Sequence, residues 1–177
     1  MFVLGIDPGL SRCGFGGVTE EHGEGRAVAA GVITSDPARP VPERLAELHG
    51  EIDTLLTELH PDVVAVERVF FQTNARTAMA VGQASGVALL AAAEHGCGIV
   101  EYTSNEVKLA VAGYGAADKV QVQQMVARLL HLTTVPDPPD VADALALALC
   151  HLAARRRGDL LSGAVAVRPA TPGARRS

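Results

Sequence analysis

The chain has 177 residues, 48% of them hydrophobic and 20% charged, with a formal net charge of −5. That length suits one domain with a sizeable core, and the apolar share excludes an intrinsically disordered chain. No apolar run approaches the roughly 20 residues needed to cross a bilayer, and Asp7-Pro8 interrupts the N-terminal apolar stretch too early for a signal-peptide core. The expectation is a cytoplasmic protein.

Cys13, Cys97 and Cys150 are far apart and lack metal-ligand spacing, so they read as reduced thiols packed in the core. The acidic balance argues mildly against a generic nucleic-acid binder, which is normally basic. Of the 15 basic residues only Lys108 and Lys119 are lysines, which sets those two apart.

Residues 2–7 (FVLGID) are rich in branched side chains and predict a strand, broken by Pro8-Gly9. Two further strands are predicted over 14–19 and 27–33, with the polar, glycine-containing run 20–26 between them, an antiparallel meander. Residues 34–41 read as a loop. Pro42 suits the first turn of a helix, and Leu45, Leu48, Ile52, Leu55, Leu56 and Leu59 recur at helical spacing up to His60, where Pro61 stops the pattern. Residues 63–67 (VVAVE) form a compact apolar strand closing on a carboxylate. A loop over 68–74, a long helix over 75–95 and a fifth strand over 99–102 follow. Thr103-x-x-Glu106 is a capping-box pattern that opens a short helix to 112. Gly113-Tyr114-Gly115 is a turn, 118–130 another helix, 133–139 a proline-rich connector, and 140–157 the last helix. Residues 158–177, mostly glycine, alanine, proline and arginine, read as a disordered tail. The expected organisation is thus one domain over 1–157 and a tail over 158–177.

The order β-β-β-α-β-α-β-α-α-α predicts an α/β fold, a mixed five-stranded sheet flanked by helices. A right-handed crossover would return the fourth strand beside the first. Neighbouring strands lie about 5 Å apart, so Asp7 and Glu67, at like ends of those two strands, could converge.

Asp7 lies in Asp-Pro-Gly, which is ordinary turn chemistry as well as a strand-end carboxylate. Glu67 closes an apolar run, where a carboxylate is costly unless it is paired or binds a metal. An ion pair with Arg68 is the plain alternative, although adjacent strand residues face opposite sides. Asp140 and Asp143 share one face of a helix start. Asp140 is also a natural N-cap, and both acids could simply serve the helix dipole. As a set, four carboxylates from two strand ends and one helix start suit Mg²⁺ or Mn²⁺. Two such ions about 4 Å apart can activate water and stabilise the leaving oxygen of an in-line phosphodiester displacement. Bound ions would also offset the negative charge of the site where the phosphodiester arrives.

The stretches LGIDPGLSRCGFG, VERVFFQTN, VGQASGVAL, VKLAVAGYGAADKVQVQQMV and PPDVADALALALCH resemble, in order and spacing, the RuvC crossover-junction endodeoxyribonucleases. The resemblance runs over residues 2–152. It implies an RNase H-like fold and a homodimer that resolves four-way (Holliday) DNA junctions by paired symmetric nicks in recombination and repair. Mg²⁺, two ions per site with Mn²⁺ able to substitute, and a branch-migration helicase complex as partner belong to the same implication. Asp7, Glu67, Asp140 and Asp143 match the family's catalytic, metal-binding acids. Lys108 and Lys119 match its basic positions, and Phe70 the aromatic that contacts bases near the junction. Arg76, at the start of the long helix, completes the candidate DNA contacts. Ser85 stands where many relatives have arginine, Thr73 where a basic residue is common, and Ser104 where proline is frequent; the first two point to weaker DNA contact.

The helix stretch 76–90 is apolar or small nearly all round and should be covered on every side, by its own domain or by a second copy. Phe70 and Phe71 are adjacent, so one ring should pack while the other stays exposed; the resemblance implies that the exposed one is Phe70. Three rival readings differ in what they require. A nucleotide-binding domain of the actin and sugar-kinase type needs a later glycine-rich hairpin and a longer chain. A non-catalytic junction-binding relative should have lost a carboxylate. An RNase H-like nuclease for other substrates, such as RNA–DNA hybrids, differs only in the stretches around Phe70 and Lys119.

Overall fold

The computed structural model describes residues 1–69 and 75–158, with residues 75 and 76 as backbone only. Phe70, Phe71, Thr73, the Arg76 side chain and the tail from 159 onward lie outside the described residues. The elements are β1 (Phe2–Asp7), β2 (Arg12–Glu21), β3 (Glu24–Thr34), α1 (Val41–Leu59), β4 (Val63–Glu67), α2 (Ala75–Glu94), β5 (Gly98–Tyr102), α3 (Ser104–Ala112), α4 (Lys119–Leu129) and α5 (Pro139–Arg157). They form one five-stranded sheet in the order β3-β2-β1-β4-β5. The β1–β2 and β2–β3 pairs are antiparallel, and the β1–β4 and β4–β5 pairs parallel. The expected mixed sheet and the return of β4 beside β1 are therefore present.

One boundary differs in an instructive way. The run 20–26, expected as a connection, is mostly strand, because β2 and β3 meet in a two-residue turn at His22-Gly23 with φ of 52° and 86°. Such a left-handed pair matches the twist of a hairpin, so the ladder can continue almost to the tip.

Alternation along the strands divides the core into two layers. Leu4, Ile6, Val64 and Val66 face α1 and α2, together with Leu48, Ile52 and Leu56 at helical spacing on α1. Val3, Val63, Ala65 and Val100 face α3, α4 and α5. Gly5, Asp7 and Glu67 fall on that second face by the same period. α5 crosses β1 and β2 at very close range. A Cβ at Gly5, Gly14 or Gly16 would run into the Ala144 carbonyl, the Asp140 carbonyl or the Leu145 side chain, respectively. Ala142, Ala144, Ala146 and Ala148 are fully buried on the helix side. Small residues on both partners thus let the backbone of α5 settle on the sheet and carry its first turn to the end of β1.

Among the described residues, α2 is covered on one side only. Ala84, Ala88, Ala91 and Ala92 are buried against the sheet and α1, whereas Met79 and Leu90 are 67% and 52% exposed. The described residues alone do not provide the expected cover on every side. Ser85 is buried, so this position bears on the packing of α2 and offers no exposed DNA contact here. Cys13, Cys97 and Cys150 are free and buried, as expected. No helix among the described residues is long and apolar enough to cross a membrane.

Candidate active site

The parallel pairing of β1 with β4 sets Ile6 against Val66, so Asp7 and Glu67 occupy matching ends of adjacent strands. Across β1, Asp7 pairs with Gly14 of β2, and Gly14 lies directly under the backbone of Asp140. One missing side chain thus brings the α5 acids over the strand acids. Asp7 is pushed up to about 7, first by burial and then by the negative charges of Glu67, Asp143 and Asp140. Glu67 is also raised, by burial and by Asp143, against a hydrogen bond with Asp7 and the charges of Lys119 and Lys108. Burial and mutual repulsion thus raise both members of this hydrogen-bonded pair above the ordinary carboxylate range.

The ion-pair alternative for Glu67 and the N-cap alternative for Asp140 fail. Glu67 turns toward Asp7, while the Arg68 guanidinium acts on Glu106. α5 starts at Pro139 after Pro138, with no side-chain cap. Asp140 is therefore the second residue of the helix, not its N-cap. Two consecutive prolines explain this, since proline is pre-set for the first helical position and leaves no N–H to cap there. Asp140 Oδ2 instead accepts from Arg12 Nε at 3.1 Å and Nη2 at 3.0 Å. Asp143 Oδ2 lies 2.6 Å from Lys119 Nζ. Each helix acid is matched with a cation from another element.

The two lysines reach the site from separate helices. α3 opens with the expected Thr103–Glu106 capping box, and α4 with a second one, Asp118–Gln121, which places Lys119 at the first helical position. A cation there opposes the helix dipole. Its position is offset by Asp143, which raises the Lys119 pKa and keeps the ammonium charged. Lys108 and Lys119 line a cleft of about 260 Å³ with Glu67, Asp143 and Ser104, floored by Val107, Val122 and Leu147.

The structure therefore brings together Asp7, Glu67, Asp140, Asp143, Lys108 and Lys119. Phe70 and the Arg76 side chain lie outside the described residues. No group of three histidine, cysteine or acidic side chains among the described residues is gathered closely enough to hold a metal ion as it stands. The donor chemistry nevertheless fits a hard divalent cation. Four acids crowd one sheet end, where burial first and their mutual repulsion second favour the protonated form of Asp7, and a bound divalent cation would favour its carboxylate instead.

Two contributors are not legible in sequence spacing. Arg12 is 128 positions from Asp140. His151, 2% exposed on α5, meets the Tyr102 hydroxyl at 2.9 Å through Nδ1 and ties β5 to α5.

Comparison with known proteins agrees with this geometry. A family model described as crossover junction endodeoxyribonuclease RuvC matches residues 3–151. A RuvC endodeoxyribonuclease of Alkaliphilus oremlandii is 52% identical over 151 residues, covering 85% of this chain and 92% of that protein. One from Salinispora arenicola is 52% identical over 153 residues, covering 86% and 87%. The structure of T. thermophilus RuvC in complex with a Holliday junction substrate superposes with a TM-score of 0.86 at 37% identity, over 93% of this chain and 98% of that one. With the matched family model spanning all four acids and both lysines, the chain belongs to the RuvC crossover junction endodeoxyribonuclease family.

Proposed function

We propose that this chain resolves four-way DNA junctions by metal-dependent hydrolysis of phosphodiester bonds, with Asp7, Glu67, Asp140 and Asp143 as the acids of the active site. The observation that carries this reading is the meeting of four carboxylates from β1, β4 and α5 beside a cleft that holds both lysines of the chain. Mg²⁺, or Mn²⁺ in its place, would be held by those acids, two ions per site, and when bound supplies an activated water and charge stabilisation for the leaving oxygen. Asp7 and Glu67 would hold the cation as carboxylates presented from neighbouring strands. Lys119 and Lys108 face the cleft and neutralise phosphate charge as the backbone enters. Phe70 and Arg76 complete the DNA contacts, Phe70 by stacking on a base near the crossover.

The partner is a second copy of the chain. Met79, Gly82, Gly86 and Leu90 follow one another at helical spacing on the exposed side of α2, and a two-fold pair would match the symmetry of the junction. A branch-migration helicase complex as further partner rests on family membership. The buried, free cysteines suit a reducing compartment, and we place the protein in the cytoplasm.

Cleavage of a synthetic four-way junction, set against an RNA–DNA hybrid of the same length, tests the reading. Paired nicks in the junction and an intact hybrid are expected with Mg²⁺. Preferential cutting of the hybrid would replace this proposal with a general RNase H-like nuclease.

A further inference from the structure

Arg12 has been given no chemical role above, yet both of its hydrogen bonds to Asp140 end on the single oxygen Oδ2. Its backbone is firmly placed. Arg12 opens β2 opposite Thr34, and the preceding residue, Ser11, accepts a 2.7 Å hydrogen bond at Oγ from the buried Arg44, which also holds Ser35 at 2.9 Å. The side chain is another matter: it is 49% exposed, and its partner Asp140 is 25% exposed. An ion pair this open is weak and easily exchanged. A guanidinium also pairs with phosphate through the same fork that it offers a carboxylate.

We infer that Arg12 competes with a divalent cation for Asp140 and hands that carboxylate over when a DNA phosphate draws the guanidinium away. The inference rests on the reading of Asp140 as a metal-binding acid. Its basis is charge: a guanidinium and a divalent cation on one carboxylate repel each other, so whatever moves the first strengthens the second. Arg12 can swing because its anchor lies in the backbone, and the incoming DNA carries the anion that it pairs with. Metal and DNA binding are thereby coupled through one side chain, each raising the affinity for the other by the same factor. Arg12 acts through Asp140 and is a positioning residue.

Two measurements on the full chain test this, neither of them an activity. Mn²⁺ is titrated without DNA, with the free ion read by electron paramagnetic resonance, for the wild type, Arg12→Gln, Arg12→Lys and Asp140→Asn. Arg12→Gln should bind Mn²⁺ at least about threefold more tightly, and Arg12→Lys, which keeps the charge, should stay near the wild type. Separately, the affinity for a fluorescent four-way junction is measured by anisotropy in Ca²⁺ and in chelator. The gain from Ca²⁺ should be at least about threefold smaller in Arg12→Gln than in the wild type. Unchanged or weaker Mn²⁺ binding by Arg12→Gln, or an undiminished Ca²⁺ gain, overturns the inference. Asp140→Asn separates the two levels. If it leaves Mn²⁺ binding unchanged, the reading of Asp140 itself fails; if it weakens binding while Arg12→Gln does not tighten it, only the role of Arg12 fails.

Discussion

The four acids form two pairs that the fold treats differently. Asp7 and Glu67 are fixed by the strand register, half-buried, bonded to each other, and raised in pKa by burial. Asp140 and Asp143 stand on the first turns of a docked helix, with side chains 25% and 27% exposed, each against a cation. The strand pair is set by the hydrogen-bond ladder and cannot drift. The helix pair depends on how closely α5 settles on the sheet and on which cation each acid faces. A site of this kind has a rigid half that holds buried charge and an adjustable half that exchanges partners.

The largest effect should come from neutralising the rigid half. Asp7→Asn or Glu67→Gln should reduce junction cutting about a thousandfold or more, since losing a ligand exceeds the 10–100-fold typical of losing a ligand's supporting partner. Asp7→Asn should also stabilise the protein when no metal is supplied. A carboxyl raised from 3.8 to about 7 favours the fold's protonated form, so its penalty is absent below the unfolded value, grows between about pH 4 and 7, and is full above. In chelator the wild-type Tm should therefore fall from pH 5 to pH 8 relative to Asp7→Asn, by on the order of 5 °C. Mg²⁺ should close that gap. Parallel melting curves for the two proteins across this range would show that Asp7 is not held above its ordinary value and would erase the contrast between the pairs.

A smaller loss should follow from prising the pairs apart. Gly14 pairs with Asp7 on one side and lies beneath the Asp140 backbone on the other. Gly14→Ala puts a methyl group where that carbonyl sits, and overpacking of this kind costs about 1–3 kcal/mol. α5 must lift, and a displacement near 1 Å can cost about a hundredfold in rate. Cutting should fall between tenfold and a hundredfold in protein that still folds, with a lower Tm. Normal cutting by this variant would mean that the helix acids do not need this close seat.

Much of this arrangement is legible in the sequence, and the reasons are local. The strand ends at Asp7 and Glu67 are visible because apolar runs stop on carboxylates, and the order of elements predicts that β4 lies beside β1. The Thr103–Glu106 cap is readable from its four-residue pattern. The same logic applies to Asp118 and Gln121, although the glutamine makes that signal weaker. What spacing cannot show is contact across the chain. The glycines of β1 and β2 acquire meaning only when α5 lies over them, and the Arg12–Asp140 pair joins segments that share no periodicity. The N-cap alternative for Asp140 is plausible from local sequence and fails because Pro138 and Pro139 already start the helix.

The smallest effect separates function from stability in the adjustable half. Lys119 Nζ contacts Asp143 at 2.6 Å, but the two side chains are 59% and 27% exposed. Such a pair contributes about 0–1 kcal/mol to folding, and a cation at the first helical position offsets part of even that. Lys119→Ala should therefore leave Tm within about 2 °C of the wild type. Its effect on cutting should be larger, because the ammonium lines the cleft beside Glu67 and Asp143 and would neutralise a phosphate arriving there. A single-turnover rate about tenfold lower, corresponding to roughly 1.4 kcal/mol of transition-state stabilisation, is the expected outcome. Arginine at this position should restore part of that rate, since it keeps the charge but not the compact ammonium. An unchanged single-turnover rate at both low and moderate salt would make Lys119 an exposed partner of Asp143 alone, and would leave Lys108 as the cation that meets the phosphate.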